Sequence, residues 1–219
     1  YHEVRMIMQT VGICDRLTFE KRDDGIVITT NCGELPVDEN NLIYKAAKLM
    51  RDTYRISQGV RIHLEKRIPI AAGMAGGSTD AAAAFLGMNE LFDCGASEQE
   101  LRELGVKIGA DVPYCIMGGT ALAEGIGEKL TQLPPMVKCP ILIAKPAINV
   151  STKFVYEHLD AAGVTQHPDI DGMVKAIEQG QLQGIWERME NVLETVTIPA
   201  YPVIQDIKDC MMQQGAVNA

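Results

Sequence analysis

The segment PIAAGMAGGSTD, residues 69–80, decides which fold this chain of 219 residues can adopt. Glycine and alanine leave room for a bulky anion beside the backbone, and glycine also supplies positive φ angles. The segment lies between a predicted strand and a predicted helix, so backbone N–H groups and the positive helix end can converge on phosphate oxygens. We therefore predict a phosphate-binding loop. Its candidate residues are Pro69, Ile70, Ala71, Ala72, Gly73, Met74, Ala75, Gly76, Gly77, Ser78 and Thr79.

Two better-known phosphate motifs do not fit this segment. A P-loop ends in Gly-Lys-Ser/Thr, and no lysine precedes Ser78. The dinucleotide fingerprint Gly-x-Gly-x-x-Gly does not match the spacing of Gly73, Gly76 and Gly77. On spacing alone, a tight strand-to-helix turn with glycines for close packing stays open as an alternative.

Hydrophobic periodicity on both sides of the segment predicts a mixture of helices and strands. Apolar side chains recur at helical spacing in residues 43–54, whereas residues 60–64 alternate as in a half-buried strand. Residues 81–91 predict the helix that leaves the loop, and Ser97-x-x-Glu100 is a capping box for the next one. The other predicted elements are strands over residues 4–11, 17–20, 26–30, 116 with 120–123, and 141–144, and helices that begin near Ser151, Asp171 and Pro202.

A Pro134-Pro135 pair marks the predicted boundary between two parts of the chain. We interpret the sequence as α+β, with one domain over residues 1–135 and a second over residues 136–219. Neither part shows an internal repeat.

Composition narrows the classes of function. The net charge of −9 argues against nonspecific binding of nucleic acid, which relies on lysine and arginine. No apolar run approaches the length of a membrane span. The six cysteines form no Cys-x-x-Cys pair and have no histidine at metal-ligand spacing. We expect reduced, partly buried thiols in a cytoplasmic protein, and no protein-ligated metal site.

Residues 69–82 resemble the second motif of the GHMP kinase superfamily, Pro-x-x-x-Gly-Leu-x-Gly-Ser-Ser-x-Ala, with Met74 in place of the usual leucine. Other segments extend the resemblance to the branch of that superfamily that works in the non-mevalonate isoprenoid pathway of bacteria and plastids. These segments are Tyr1-His2, residues 40–42, residues 109–113 and residues 118–128.

The resemblance implies a fold, a reaction and a cofactor. The fold would be a two-domain GHMP kinase with its active site in the interdomain cleft, residues 1–135 forming the ATP-binding domain. The reaction would be ATP-dependent phosphorylation of the 2-hydroxyl of a cytidyl-diphosphate methylerythritol. ATP would lie across Gly73 to Thr79, bordered by Asn41 and Lys66, with Mg²⁺ brought by the nucleotide and no protein ligand assigned. The partners would be small molecules, and the protein a monomer or weak homodimer.

Asp111 is the candidate catalytic residue. An aspartate in a turn is usually a cap or an Asx-turn, but Gly-Ala-Asp-Val-Pro at residues 109–113 is where the resembling kinases place their catalytic aspartate. The resemblance therefore assigns Asp111 as the base or hydroxyl-orienting group. We interpret the rival acid, Asp80, as structural, and assign no firm role to Glu124 or Glu128.

Aromatic faces can grip the base of the cytidyl substrate. In the resembling kinases a Tyr-His pair meets the cytosine, which Tyr1 and His2 match, and a second aromatic residue corresponds to Tyr156. Thr152 would contact the sugar or diphosphate. The alternative for Tyr156 is a packing role in core or surface.

Two family elements are missing from this sequence: a Lys-x-Asn segment ahead of Tyr1 and a third, glycine-rich motif beyond Ala219. We therefore expect a chain truncated at both ends and inactive as it stands. Two alternatives are a GHMP kinase for homoserine, mevalonate or a sugar, and a noncatalytic nucleotide- or RNA-binding module.

Overall fold

The computed structural model describes residues 3–159 and 167–219. The strands in this part of the chain are β1 (Val4–Gln9), β2 (Arg16–Arg22), β3 (Ile26–Thr30), β4 (Gly59–Glu65), β5 (Thr120–Gly125) and β6 (Lys129–Gln132). The helices there are α1 (Leu42–Tyr54), α2 (Gly76–Leu91), α3 (Glu98–Val106), α4 (Val112–Met117), α5 (Thr152–His158), α6 (Ile170–Glu178), α7 (Leu182–Trp186), α8 (Glu194–Ala200) and α9 (Val203–Gln213). The mixture confirms the α+β prediction.

The first sheet has the order β2-β4-β3, with β2 antiparallel and β3 parallel to the central strand β4. The side chains of Val60, Ile62 and Leu64 in β4 are fully buried, as their alternation predicted. They face α1 and α2 across the main apolar core. Helix α2 passes close to β2, since a Cβ atom added at Gly87 would lie 2.4 Å from the Phe19 ring.

Local sequence explains where α1 and α3 begin. The Asn41 side chain accepts a hydrogen bond from the backbone N–H of Ile43 at 2.8 Å and so caps α1. The predicted capping box of Ser97 and Glu100 is present at the start of α3. Both caps fix the direction in which a helix enters the main core.

The second sheet has the order β1-β5-β6, and all its neighbouring strands are antiparallel. It packs against α6 and α7 through a smaller apolar cluster. That cluster joins Ile7 and Leu122 from the sheet to Met173, Ile177 and Ile185 from the helices. Residues on both sides of position 135 therefore share one core.

Two sequence predictions are wrong. Ile116 lies in α4, because Pro113 in the first helical turn favours a helix and Val112 and Ile116 are buried on one face. Residues 141–144 form no strand, and Leu142 is 78% exposed. A strand needs a partner, and no described strand pairs with this segment.

The predicted helix starts near Ser151, Asp171 and Pro202 are confirmed by α5, α6 and α9. No helix among residues 3–159 and 167–219 is long and apolar enough to cross a membrane.

Candidate active site

The loop between β4 and α2 contains three left-handed backbone conformations. Ala71 has φ +52°, Gly73 has φ +67° and Ala75 has φ +50°. Glycine adopts this region freely, but an alanine there is strained by about 1 kcal/mol. Two strained alanines in one loop mark a backbone that the surrounding structure holds in a special shape.

Helix α2 begins inside the predicted loop, at Gly76, and its N-cap residue Ala75 provides no side-chain acceptor. The first N–H groups of a helix have no intrahelical partner, and together with the helix dipole they favour an anion. The hydroxyl of Thr79 donates to the carbonyl of Ala75 at 3.0 Å, and Ser78 is half-buried beside it. The end of the predicted phosphate loop is thus a helix N-terminus.

Asp111 occupies the N-cap position of α4, but its carboxylate makes no capping hydrogen bond. Its backbone carbonyl accepts from the N–H of Cys115 at 3.0 Å, so the main chain alone starts the helix. Burial raises the pKa of the Asp111 carboxyl above its ordinary value. The side chain is therefore available for a role other than the cap that a turn aspartate usually provides.

Helix α4 packs against the N-terminal turn of α2. The Thr79 hydroxyl lies 3.5 Å from the thiol of Cys115, one turn after Asp111. A Cβ atom added at Gly109 would lie 3.9 Å from the hydroxyl of Ser78. These contacts bring the segment around Asp111 against the predicted phosphate loop, so the structure brings these two sequence-predicted features together.

A buried ionic cluster lies below the same loop, and sequence reasoning missed it. The ammonium of Lys66 donates to Asp15 at 2.5 Å and to Asp80 at 2.9 Å. The exposed fractions of the Lys66, Asp15 and Asp80 side chains are only 6%, 2% and 5%, respectively. The clue in the sequence was a lysine directly before the loop and an aspartate directly after it, but the partner Asp15 is distant in sequence.

The two carboxyls of the cluster differ in acidity. Burial alone would raise the pKa of Asp15, but hydrogen bonds from the backbone N–H groups of Arg67 and Ile68 and from Lys66 bring it below its ordinary value. Burial raises the pKa of Asp80 to about 7, and the Lys66 ammonium only partly offsets this effect. The structural role of Asp80 stays a prediction, and this buried carboxyl has a pKa near neutral pH.

A cleft of about 460 Å³ adjoins the loop. Its lining includes Lys66, Ala71, Lys145 and Asn149. Asn41, which the sequence analysis placed beside the nucleotide, is buried, and its side chain caps α1.

The predicted substrate residues are only partly described. Tyr1 and His2 lie outside the described residues. Thr152 is the first residue of α5, and Tyr156 lies half-buried in the same helix. Glu124 forms an exposed ion pair with Arg5 at 3.1 Å.

Comparisons with known proteins support a kinase. The family described as "GHMP kinases N terminal domain" matches residues 41–119, which span α1, the loop and α4. A solved homoserine kinase from Cytophaga hutchinsonii shares the fold, with a TM-score of 0.73 at 21% identity over 93% of this chain and 71% of that one. Fold and loop together define the class as a GHMP kinase.

Closer relatives narrow that class. A 4-diphosphocytidyl-2-C-methyl-D-erythritol kinase from Lachnospira eligens is 59% identical over 100% of this chain and 76% of its own length. The counterpart from Caldicellulosiruptor bescii is 50% identical over 100% and 77%. A crystal structure of 4-(cytidine 5'-diphospho)-2C-methyl-D-erythritol kinase has a TM-score of 0.77 at 30% identity, covering 98% of this chain and 75% of that one. The chain belongs to the 4-diphosphocytidyl-2-C-methyl-D-erythritol kinase family, which confirms the resemblance carried by residues 69–82.

Proposed function

We propose that this protein transfers the γ-phosphoryl group of ATP to the 2-hydroxyl of 4-diphosphocytidyl-2-C-methyl-D-erythritol. The observation that carries the proposal is the position of Asp111. Its carboxyl is partly buried and makes no capping hydrogen bond, and the helix that it precedes packs against the N-terminal turn of α2. The names of relatives up to 59% identical supply the substrate.

In this proposal the phosphates of ATP lie on the loop from Pro69 to Thr79. The open N–H groups at the start of α2 and the hydroxyl of Ser78 are donors for phosphate oxygens. The adjoining cleft of about 460 Å³, lined in part by Lys145 and Asn149, would take the nucleoside.

Asp111 would act on the acceptor. It receives the proton of the 2-hydroxyl while that oxygen bonds to the γ-phosphorus, and the bond to the β–γ bridging oxygen breaks to release ADP. A carboxyl whose pKa is raised by burial holds this proton better than an exposed aspartate does.

The cytidyl end of the substrate would be bound by Tyr1, His2 and Tyr156, with Thr152 near the sugar or diphosphate. Tyr156 supports this assignment by lying on α5, close in the chain to the cleft residue Asn149. The proposed domains, residues 1–135 and 136–219, share the smaller apolar cluster, which in this proposal forms their interface.

Magnesium would come with the nucleotide. Among the described residues, no three His, Cys, Asp or Glu side chains are grouped as a metal site. We assign Mg²⁺ no protein ligand and derive no step through it, since such ions commonly bind phosphates and water.

The test is ATP consumption by the full-length protein with 4-diphosphocytidyl-2-C-methyl-D-erythritol, beside the variants Asp111→Asn and Asp52→Asn. Asp52 is a matched control because its side chain is 64% exposed and pairs with Lys48 within α1. We expect substrate-dependent turnover that falls about 10²- to 10⁴-fold in Asp111→Asn and is retained in Asp52→Asn. Phosphorylation of homoserine or mevalonate instead would disprove the substrate, and no phosphorylation at all would favour a binding module.

A further inference from the structure

The cluster of Asp15, Lys66 and Asp80 lies directly under the predicted phosphate site. A Cβ atom added at Gly76, the first residue of α2, would lie 3.0 Å from the Lys66 ammonium. The first turn of α2 therefore packs directly against this buried cluster.

The cluster ties both ends of the loop together. One oxygen of Asp15 accepts from the backbone N–H groups of Arg67 and Ile68, at 2.5 and 2.8 Å, just before the loop begins. Lys66 connects this anchor to Asp80 in the second turn of α2, just after the loop ends. A change in the charge of the cluster consequently acts on the loop from both sides.

The Asp80 carboxyl is hydrogen-bonded through one of its two oxygens. Its Oδ1 atom is buried and has no hydrogen-bond partner in the described part of the chain. A buried, unpartnered carboxylate oxygen is costly, whereas a proton on Asp80 would remove the charge and provide a donor. The side chain also interacts with the Asp15 carboxylate, which further favours its protonated form.

The charge of the cluster depends on that proton. With Asp80 ionised, two carboxylates and one ammonium carry a net charge of −1. With Asp80 protonated, the cluster is neutral. A triphosphate bound at the start of α2 would be repelled by the first state and not by the second.

We propose that Asp15, Lys66 and Asp80 are positioning residues of the nucleotide site, and that a nucleoside triphosphate binds there with uptake of a proton onto Asp80. This inference rests on the proposed function, because it takes the loop at residues 69–79 as the triphosphate site. The proton makes the cluster beneath the loop neutral, and both ends of the loop stay anchored to the cluster.

In the described part of the chain, three other titratable groups interact with Asp80, namely Lys66, Asp15 and Cys115. Lys66, which precedes the loop, donates a hydrogen bond to Asp80. Asp15, which precedes β2, raises the pKa of Asp80. On α4, burial is the main cause that raises the pKa of the Cys115 thiol, and the charges of Asp111 and Asp80 raise it further. Since burial raises the pKa of Cys115 away from neutrality, Asp80 is the member of this group that titrates near pH 7.

Isothermal titration calorimetry of the full-length protein tests the inference. The Mg²⁺ complex of the non-hydrolysable analogue AMP-PNP is titrated at pH 7 in buffers of different ionisation enthalpy, which gives the protons taken up per nucleotide. Because the pKa of Asp80 is about 7 in the protein without nucleotide, we expect wild type to take up roughly half a proton more than Asp80→Asn. The control Asp52→Asn should match wild type.

The pH dependence of wild type provides a second measurement that needs no variant. Binding should weaken as pH rises, with the dissociation constant increasing roughly fivefold between pH 7 and pH 8 as Asp80 ionises in the free protein. Equal proton numbers in wild type and Asp80→Asn, or a flat pH dependence in wild type, would overturn the inference while leaving the proposed function intact. Absence of any AMP-PNP binding would overturn both.

Discussion

The hydroxyl of Thr79 lies 3.5 Å from the thiol of Cys115 and so joins the helix that follows the phosphate loop to the helix that begins after Asp111. Burial raises the pKa of this thiol, the Thr79 contact lowers it to a smaller extent, and the charges of Asp111 and Asp80 raise it further. Cys115 is consequently a natural reporter of the packing between the two halves of the site.

The first prediction concerns the reactivity of Cys115. Because the thiolate is the reactive form, a half-buried thiol with a raised pKa should be alkylated slowly. We expect pulse labelling with N-ethylmaleimide at pH 7.5, followed by peptide mass spectrometry, to modify Cys115 at least about 10-fold more slowly than the exposed Cys14 and Cys210. Labelling at equal rates in the folded protein would contradict the packing of α4 against α2.

Much of the fold was predictable where one period dominates a segment. The alternation in Val60, Ile62 and Leu64 predicted β4, and the apolar spacing in residues 81–91 predicted α2. The prediction was wrong at Ile116, because a six-residue helix is too short to show a period. It was also wrong at residues 141–144, because strand formation depends on a partner that local sequence does not reveal.

The candidate site was predictable only in its contiguous parts. The loop at residues 69–80 and the turn around Asp111 each carry their own motif. The cluster of Asp15, Lys66 and Asp80 does not, since Asp15 is 51 residues from Lys66 in the chain and meets it only through the pairing of β2 with β4. Long-range ion pairs of this kind have no local signature in a single sequence.

The second prediction separates two adjacent glycines at the start of α2. An alanine at position 76 would press its Cβ against the Lys66 ammonium at 3.0 Å and against Ile68 at 3.1 Å, and the ammonium is held by two carboxylates. We expect Gly76→Ala to lower the free energy of unfolding by about 1–3 kcal/mol in urea denaturation.

Gly77→Ala is the matched control for that prediction. Its Cβ would meet only the flexible end of Leu42, at 3.3 Å. The gain in helix propensity on replacing glycine by alanine, about 1 kcal/mol, should offset the tight contact and leave stability nearly unchanged. If both variants were equally stable, Lys66 could not be held under Gly76.

The third prediction concerns stability and pH. The pKa of Asp80 is about 7 in the folded protein, above its ordinary value of 3.8, so between pH 3.8 and 7 the folded state binds more protons than the unfolded state. This contribution to stability is lost as pH rises through that window, by up to about 1.4 kcal/mol per pH unit. Asp15 has a lowered pKa, so its contribution is lost only at more acidic pH.

Urea denaturation of wild type and Asp80→Asn at pH 5, 6 and 7 measures this effect. The free energy of unfolding of the variant should improve relative to wild type at each step towards pH 7, because asparagine cannot ionise. Parallel profiles for the two proteins would show that Asp80 does not titrate in this range.

The last prediction concerns the rate of the proposed reaction. The Asp111 carboxylate must be ionised to accept the hydroxyl proton, and burial raises its pKa above the ordinary value. Activity should therefore fall on the acidic side, with an inflection in kcat at a pH above 3.8, the ordinary value for aspartate. This acid limb is opposite in direction to the weakening of nucleotide binding that Asp80 causes as pH rises, so kcat and the KM for ATP should respond to pH in different ranges.

Steady-state kinetics of the full-length protein from pH 5 to 8.5 would resolve the two effects. In Asp80→Asn the acid limb of kcat should persist while the rise in KM at high pH disappears. If one substitution abolished both effects, a single group would have to account for them, and the separate roles assigned to Asp111 and Asp80 would be wrong.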